Sequence, residues 1–171
     1  MKIAPAFLLA GELAPRAEGS MKSPMNSTVE SQWRRGSCIQ DSGVFFPDDT
    51  YIALTRLADG TGYAVAKRVA IDFSVDDEQD DRIELEPRFT VQLGEHELSC
   101  GGTCWEAEGF VAVAVNGRLL WILLLHDSEV FFEVELQNDV LVAWSEEYPF
   151  HIDWRIPLRE PQALTKRVTR M

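Results

Sequence analysis

The chain lacks the signatures that introduce most enzyme families. Its 171 residues contain no G-x-S-x-G elbow, no S-x-x-K, no kinase or P-loop pattern, and no G-x-G-x-x-G after a strand-like run. Nucleophilic, phosphoryl-transfer and dinucleotide chemistries therefore have no motif to stand on. Gly60-Thr61-Gly62 has the composition of a turn, not of a phosphate cradle. The three histidines, His96, His126 and His151, form neither H-x-H nor H-E-x-x-H. These absences argue against particular families, not against groups that folding gathers from distant positions.

Cysteine is scarce and odd in number: Cys38, Cys100 and Cys104. That count builds no disulfide framework and points to a reducing, cytoplasmic setting. Cys100-Gly-Gly-Thr-Cys104 places two thiols four residues apart, suited to a strained bridge across a turn or to two metal ligands. Adding Cys38 and one histidine completes a Cys₃His set on paper, but structural zinc sites show a second closely spaced ligand pair, and none is present. The favoured reading is two small apolar residues beside a glycine turn. Cys38, Cys100 and Cys104 stand as the metal-ligand candidates, and no cofactor is expected.

Long hydrophobic runs are missing too. Nothing approaches the ~18–20 apolar residues of a membrane helix. The apolar run at 3–10 follows Lys2, but it is short, interrupted by Pro5, and has no small-x-small site before Glu12. It is a poor secretory signal. Residues 1–30, with three prolines and scattered serines, are expected to form a flexible segment ahead of one β-rich domain over 31–171. A domain of that size buries roughly 70% of its unfolded surface.

Basic residues are few: 16 Lys and Arg against 28 Asp and Glu, a net charge of −12. The deficit is concentrated. Residues 41–154 hold 24 acids and six bases, whereas 1–40 and 155–171 are net positive. Such a field repels nucleic-acid backbones and anionic membranes and favours a cationic partner. Trp33-Arg34-Arg35 and Lys166-Arg167 are too sparse for a nucleic-acid surface. The densest acidic stretch, Asp76, Asp77, Glu78, Asp80 and Asp81, lacks the EF-hand order and reads as a solvated loop and a candidate electrostatic contact.

Strands dominate what is there. Residues 110–115 and 119–125 flank Asn116-Gly117, the pair best suited to a type I′ hairpin turn. Residues 44–46, 51–57, 62–73 and 88–93 read as further strands. Alternation then assigns Val130, Phe132, Val134 and Leu136 to one face, with Glu129, Glu133 and Glu135 opposite. Val140, Val142 and Trp144 are expected to repeat that apolar face, and so are Phe150, Ile152, Trp154 and Ile156. The expected fold is an all-β antiparallel meander forming a sandwich or partly closed barrel. Residues 162–170 are the one stretch with weak helical character.

Residues 119–125 are apolar on both faces and need two covers. The candidates are a second sheet made by the 44–73 hairpin, a terminal segment, or another subunit. On the wet face, His151, Asp153 and Arg155 lie together, and aligned strands would add Glu133 and Glu135. A histidine between carboxylates is the best acid–base candidate in the chain. Three readings follow. The chain is an acidic, non-catalytic binding protein of inhibitor or immunity type that neutralises a basic partner. Alternatively, it is a small-ligand barrel or sandwich with His/Asp chemistry, or a self-associating structural protein.

Overall fold

The computed structural model describes residues 28–73, 82–105 and 108–171. The acidic residues at 76–81 therefore lie outside the described residues, as do positions 1–27. The chain opens with helix α1 (Thr28–Arg34), which starts inside the segment expected to be flexible. Two short strands follow, β1 (Ser37–Ile39) and β2 (Gly43–Phe46). Then come β3 (Thr50–Arg56), β4 (Tyr63–Val65) and β5 (Val69–Ala70). Four longer strands are β6 (Arg82–Leu93), β7 (His96–Thr103), β8 (Glu108–Val115) and β9 (Arg118–His126). The last four are β10 (Phe131–Gln137), β11 (Val140–Glu147), β12 (Phe150–Pro157) and β13 (Thr165–Arg170).

All pairings are antiparallel and fall into two open sheets. The larger runs β1-β6-β7-β8-β9-β2-β3-β4, with β5 also on β3; the smaller runs β10-β11-β12-β13. The β8–β9 hairpin turns on Asn116 and Gly117, at φ 52 and 73°. Asn138 and Asp139, at φ 49 and 62°, make a second turn of this kind between β10 and β11. Positive φ at both central residues matches the right-handed twist of the flanking strands.

The doubly apolar β9 finds both covers within the chain. Trp121, Leu123 and Leu125 face a core shared with Phe131, Leu141, Trp154 and Ile156 of the small sheet. Leu119, Ile122 and Leu124 face a second core closed by Val29 of α1, Cys38 of β1, and Ile83 and Leu85 of β6. The 44–73 hairpin is not the covering sheet. It extends the same sheet, with Val44 paired to Leu123. Full burial of a leucine or valine contributes about 1.5–3 kcal/mol, so a strand with two buried faces carries much of this fold's stability.

Three further sequence expectations are corrected. First, a bulge between Phe131 and Glu133 turns Phe131 into the core and Phe132 outward; one extra residue reverses the alternation that precedes it. Second, β11 has the opposite phase from that expected. Leu141, Ala143 and Ser145 face inward, leaving Val142 and Trp144 on the outer side. Third, residues 165–170 form strand β13, not a helix; after the 3-10 turn at Pro161–Ala163, they pair with β12.

The β7 strand was hidden by Gly101 and Gly102. A Cβ at Gly101 would lie 2.0 Å from the Glu86 carbonyl oxygen, so glycine permits the close approach of β6. Among the described residues, no helix is long and apolar enough to cross a membrane.

Candidate functional site: the outer face of the small sheet

The expected site residues do share one face. Register places Glu133, Trp144, Asp153 and Arg167 in a row across β10 to β13. The next row is Glu135, Val142, Arg155 and Thr165. A third brings Glu146 beside His151 and Thr169. The inner side of the same strands is filled by Val134, Ala143 and Trp154, and this face is turned away from that core, with Glu133 exposed, Trp144 half-buried and Val142 buried.

His151 sits between two carboxylates. Its Nδ1 lies 3.6 Å from Glu146 Oε1 and its Nε2 lies 3.4 Å from Asp153 Oδ1. The Phe132 ring stands 6.0 Å away, tilted by 58°. The bulge that expels Phe132 from the core is what puts it there. Glu133 and Glu135 do not join this cluster, because β11 intervenes and two strand spacings separate them by roughly 9–10 Å. Acid–base work also needs a substrate atom held within hydrogen-bond reach of the acid or base. The described cavity lies instead on the other side of the large sheet, against Phe45 and Tyr51.

This face carries both signs: Glu133, Glu135, Glu146 and Asp153 stand with Arg155 and Arg167, four carboxylates to two guanidiniums. Among the described residues, three arginine–carboxylate bridges form: Arg34–Glu30 at 2.7 Å, Arg68–Asp48 at 2.8 Å and Arg56–Asp127 at 3.8 Å. None involves the small sheet. Glu135 accepts a hydrogen bond from Gln137, its neighbour on β10, and not from a cation. Glu133 acts at a distance. Burial pushes the Cys100 thiol up to about 12, and the negative charge of Glu133 adds to that shift.

At the other edge, Lys166 of β13 reaches over the Trp154 ring, 5.7 Å from its centroid. Burial and the nearby Arg56 charge lower its pKa, against the opposing pull of Glu147. Arg56 belongs to the large sheet, so this cationic pair marks the seam where the two sheets come together.

The thiols do not converge. Cys38 is buried in the core under α1, Cys100 in the core between the sheets, and Cys104 is exposed. All three are free. Cys38 is pushed up to about 12 by burial, against a hydrogen bond from the Ile39 backbone. Among the described residues, no group of three or more His, Cys, Asp or Glu side chains is placed to hold a metal ion.

Sequence reasoning missed two features. Trp144 and Phe132 stand on the outer face, whereas simple alternation along the sequence assigns both to the core side. Glu108 joins two partners: its Oε1 lies 3.5 Å from His126 Nε2, and its Oε2 accepts from the Thr103 hydroxyl at 2.9 Å. The one available signal was register: Glu108 and His126 are directly paired across the β8–β9 hairpin.

No family model, curated protein or solved structure matches this chain.

Proposed function

We propose that this chain is a non-catalytic binding protein whose acidic outer sheet face engages a basic protein, in the manner of an inhibitor or immunity protein. The observation that carries the reading is the face itself. Glu133, Glu135, Glu146 and Asp153 outnumber Arg155 and Arg167 on the outer side of a sheet that also carries Phe132 and Trp144, and among the described residues no arginine or lysine bridges to these four carboxylates.

The chemistry suits recognition of cations. Unpaired carboxylates raise the local concentration of a basic partner and speed its docking. Aromatic side chains supply apolar contact that charge alone does not, and such residues are enriched at interface centres. The acids at 76–81, which lie outside the described residues, add to the net negative charge of the chain.

The test is affinity capture from native lysate at low salt, run in parallel with wild-type protein and the Glu133→Lys/Glu135→Lys variant. A basic protein retained by the wild type, released by a salt gradient and lost with the variant supports the reading. Capture that ignores ionic strength, or equal recovery by both proteins, overturns it. Circular dichroism confirms that the variant keeps its strands.

A further inference from the structure

The small sheet ends in a long open edge. Strand β13 pairs with β12 at six unbroken positions, from Phe150–Arg170 to Arg155–Thr165, and among the described residues no strand pairs with its other side. One bond fixes which way its backbone points. The Met171 amide donates to the Pro149 carbonyl at 3.0 Å, in the same register. Hydrogen bonding alternates along an antiparallel pair, so Thr165, Arg167 and Thr169 also bond inward to β12. Lys166, Val168 and Arg170 therefore turn both amide and carbonyl outward. On these strands Val168 and Arg170 are exposed and Lys166 is half-buried.

We propose that this edge binds an extended acidic peptide, which joins the small sheet as an antiparallel strand beside β13. The open row of backbone groups supplies the pairing, as in other cases where a peptide extends a sheet. Charge selects the peptide. Lys166 lies on the Trp154 side of β13 and Arg167 on the Asp153 side, so an added strand meets cations on both faces. Among the described residues the arginine–carboxylate bridges use Arg34, Arg56 and Arg68, and none uses β13. Asp153, opposite Arg167, approaches His151 instead, at 3.4 Å. Burial and the nearby Arg56 charge both depress the Lys166 pKa, so positive charge gathers here in a chain of net charge −12. Side chains directly opposite one another interact across a ladder. The peptide that matches Arg170, Thr169, Val168, Arg167 and Lys166 reads, from its N-terminus, acid, any residue, apolar, acid, acid.

Other occupants fit less well. A second β13, paired antiparallel to the first, would crowd Lys166, Arg167 and Arg170 of both copies, and like charges across a ladder destabilise it. The β10 edge of a second copy is blunted by the Phe131–Glu133 bulge. It also begins hard against the large sheet, where Val130 Cγ2 lies 2.8 Å from the place of a Cβ on Gly102. Lysine on an edge can serve only to deter self-pairing. In so acidic a chain, carboxylates would repel other copies as well, whereas cations select an anion.

The proposal does not rest on the basic-protein reading: that partner is cationic and meets the sheet's face, while this one is anionic and meets its edge. It is tested by fluorescence anisotropy of the labelled peptide Ser-Glu-Thr-Val-Glu-Glu-Ser, titrated with the full chain. Binding is expected with a Kd below about 1 mM. Replacing the three glutamates by glutamine should weaken it at least about tenfold. N-methylation of the valine, which removes a backbone donor and keeps every charge, should do so by at least about tenfold as well. Val168→Pro should abolish binding. Proline is tolerated on an edge strand where the lost N–H faces solvent, so the pairing with β12 should survive, as circular dichroism would verify.

Equal binding of the N-methylated peptide overturns the proposal, because charge alone then holds it. Equal binding by folded Val168→Pro does the same. So does a concentration-dependent dimer of the wild type that Val168→Pro abolishes, which assigns the edge to a second copy. A Kd above about 1 mM also refutes it. The three peptides on wild-type protein decide the matter even if Val168→Pro fails to fold.

Discussion

The three free thiols make the two-core architecture measurable. Cys104 is exposed, Cys38 lies under α1, and Cys100 lies between the sheets. At pH 8, a thiol held at about 12 is ionised in about one molecule in ten thousand, against about one in ten at the ordinary value of 9.0. Iodoacetamide, which reacts with the thiolate, should therefore label Cys104 at once and reach the other two only through opening.

The two openings differ in size. Exposing Cys38 requires release of a seven-residue helix, whereas exposing Cys100 requires separation of the sheets. Labelling of Cys38 should thus show only a small part of the global urea dependence, about 1–3 kcal/mol per molar for a small protein. One contact tunes it: Asp49 Oδ1 accepts the Val29 amide at 3.0 Å, satisfying an orphan donor in the first turn of α1.

Asp49→Gly deletes that acceptor. Glycine also tolerates the φ of 60° at this turn, and because the turn persists when α1 opens, the relief of strain cancels between the closed and open forms. Loss of a cap costs about 1 kcal/mol, which is about a fivefold rise in the open population. Cys38 labelling, read by mass spectrometry after peptide mapping, should accelerate about fivefold with its shallow urea slope unchanged. Asp49→Asn, which keeps an acceptor oxygen, should stay near wild type. The reasoning fails if Cys38 shows the same urea slope as Cys100, for then the helix and the sandwich open as one unit. It also fails if Asp49→Gly has no effect on labelling.

Phe131→Ala, which empties a fully buried site, should cost about 3–5 kcal/mol in urea denaturation. Its neighbour Phe132→Ala should cost under about 1 kcal/mol, so equal costs would refute the bulge. Ser145→Ala should lose about 1–3 kcal/mol, because it strands the buried Trp154 indole N–H that now donates to Ser145 at 2.9 Å; a neutral effect would disprove that bond. Alkali supplies the last case. The Cys38 pKa is raised on folding from 9.0 to about 12, so its stabilising contribution is complete below 9 and falls as pH rises toward 12. Between pH 8 and pH 10, this thiol should account for about 1.4 kcal/mol of lost stability. The urea midpoint of Cys38→Ala should accordingly fall less steeply over that range, and parallel slopes would refute the assignment.

The strand content was legible because its signals are local. Asn116-Gly117 demanded a hairpin, and the alternation of Phe150, Ile152, Trp154 and Ile156 matched a half-buried strand. The phase of β11 was not legible, since Val140-Leu-Val-Ala-Trp144 is apolar at every position and period two cannot choose between its faces. What chose was a long-range bond, from the Trp154 indole to Ser145, which requires Ser145 to face inward. The bulge at Phe132 was hidden for a similar reason. Adjacent phenylalanines satisfy either phase, and only pairing with Ser145 and Trp144 reveals which one faces inward. The site was half legible: register gathered the expected carboxylates on one face, but the aromatics there had been counted as core.

Cover and charge are connected in this fold. The central strands of the large sheet are apolar on both sides, so one side takes the small sheet and the other takes α1 with β1. Among the described residues no further layer covers the small sheet, and acidic side chains stand on its outer side. Carboxylates spread over such a face repel one another, and Arg155 and Arg167, which share the face, offset only part of that charge. Net charge far from zero favours solubility at the expense of compactness. A basic partner docked on this face would relieve that repulsion, and a partner that binds only the folded chain there should raise its stability against urea with the logarithm of its concentration over Kd, by about 2.7 kcal/mol at a hundredfold excess over Kd. The binding reading therefore predicts a stabilisation that a purely solubilising role for the charge does not.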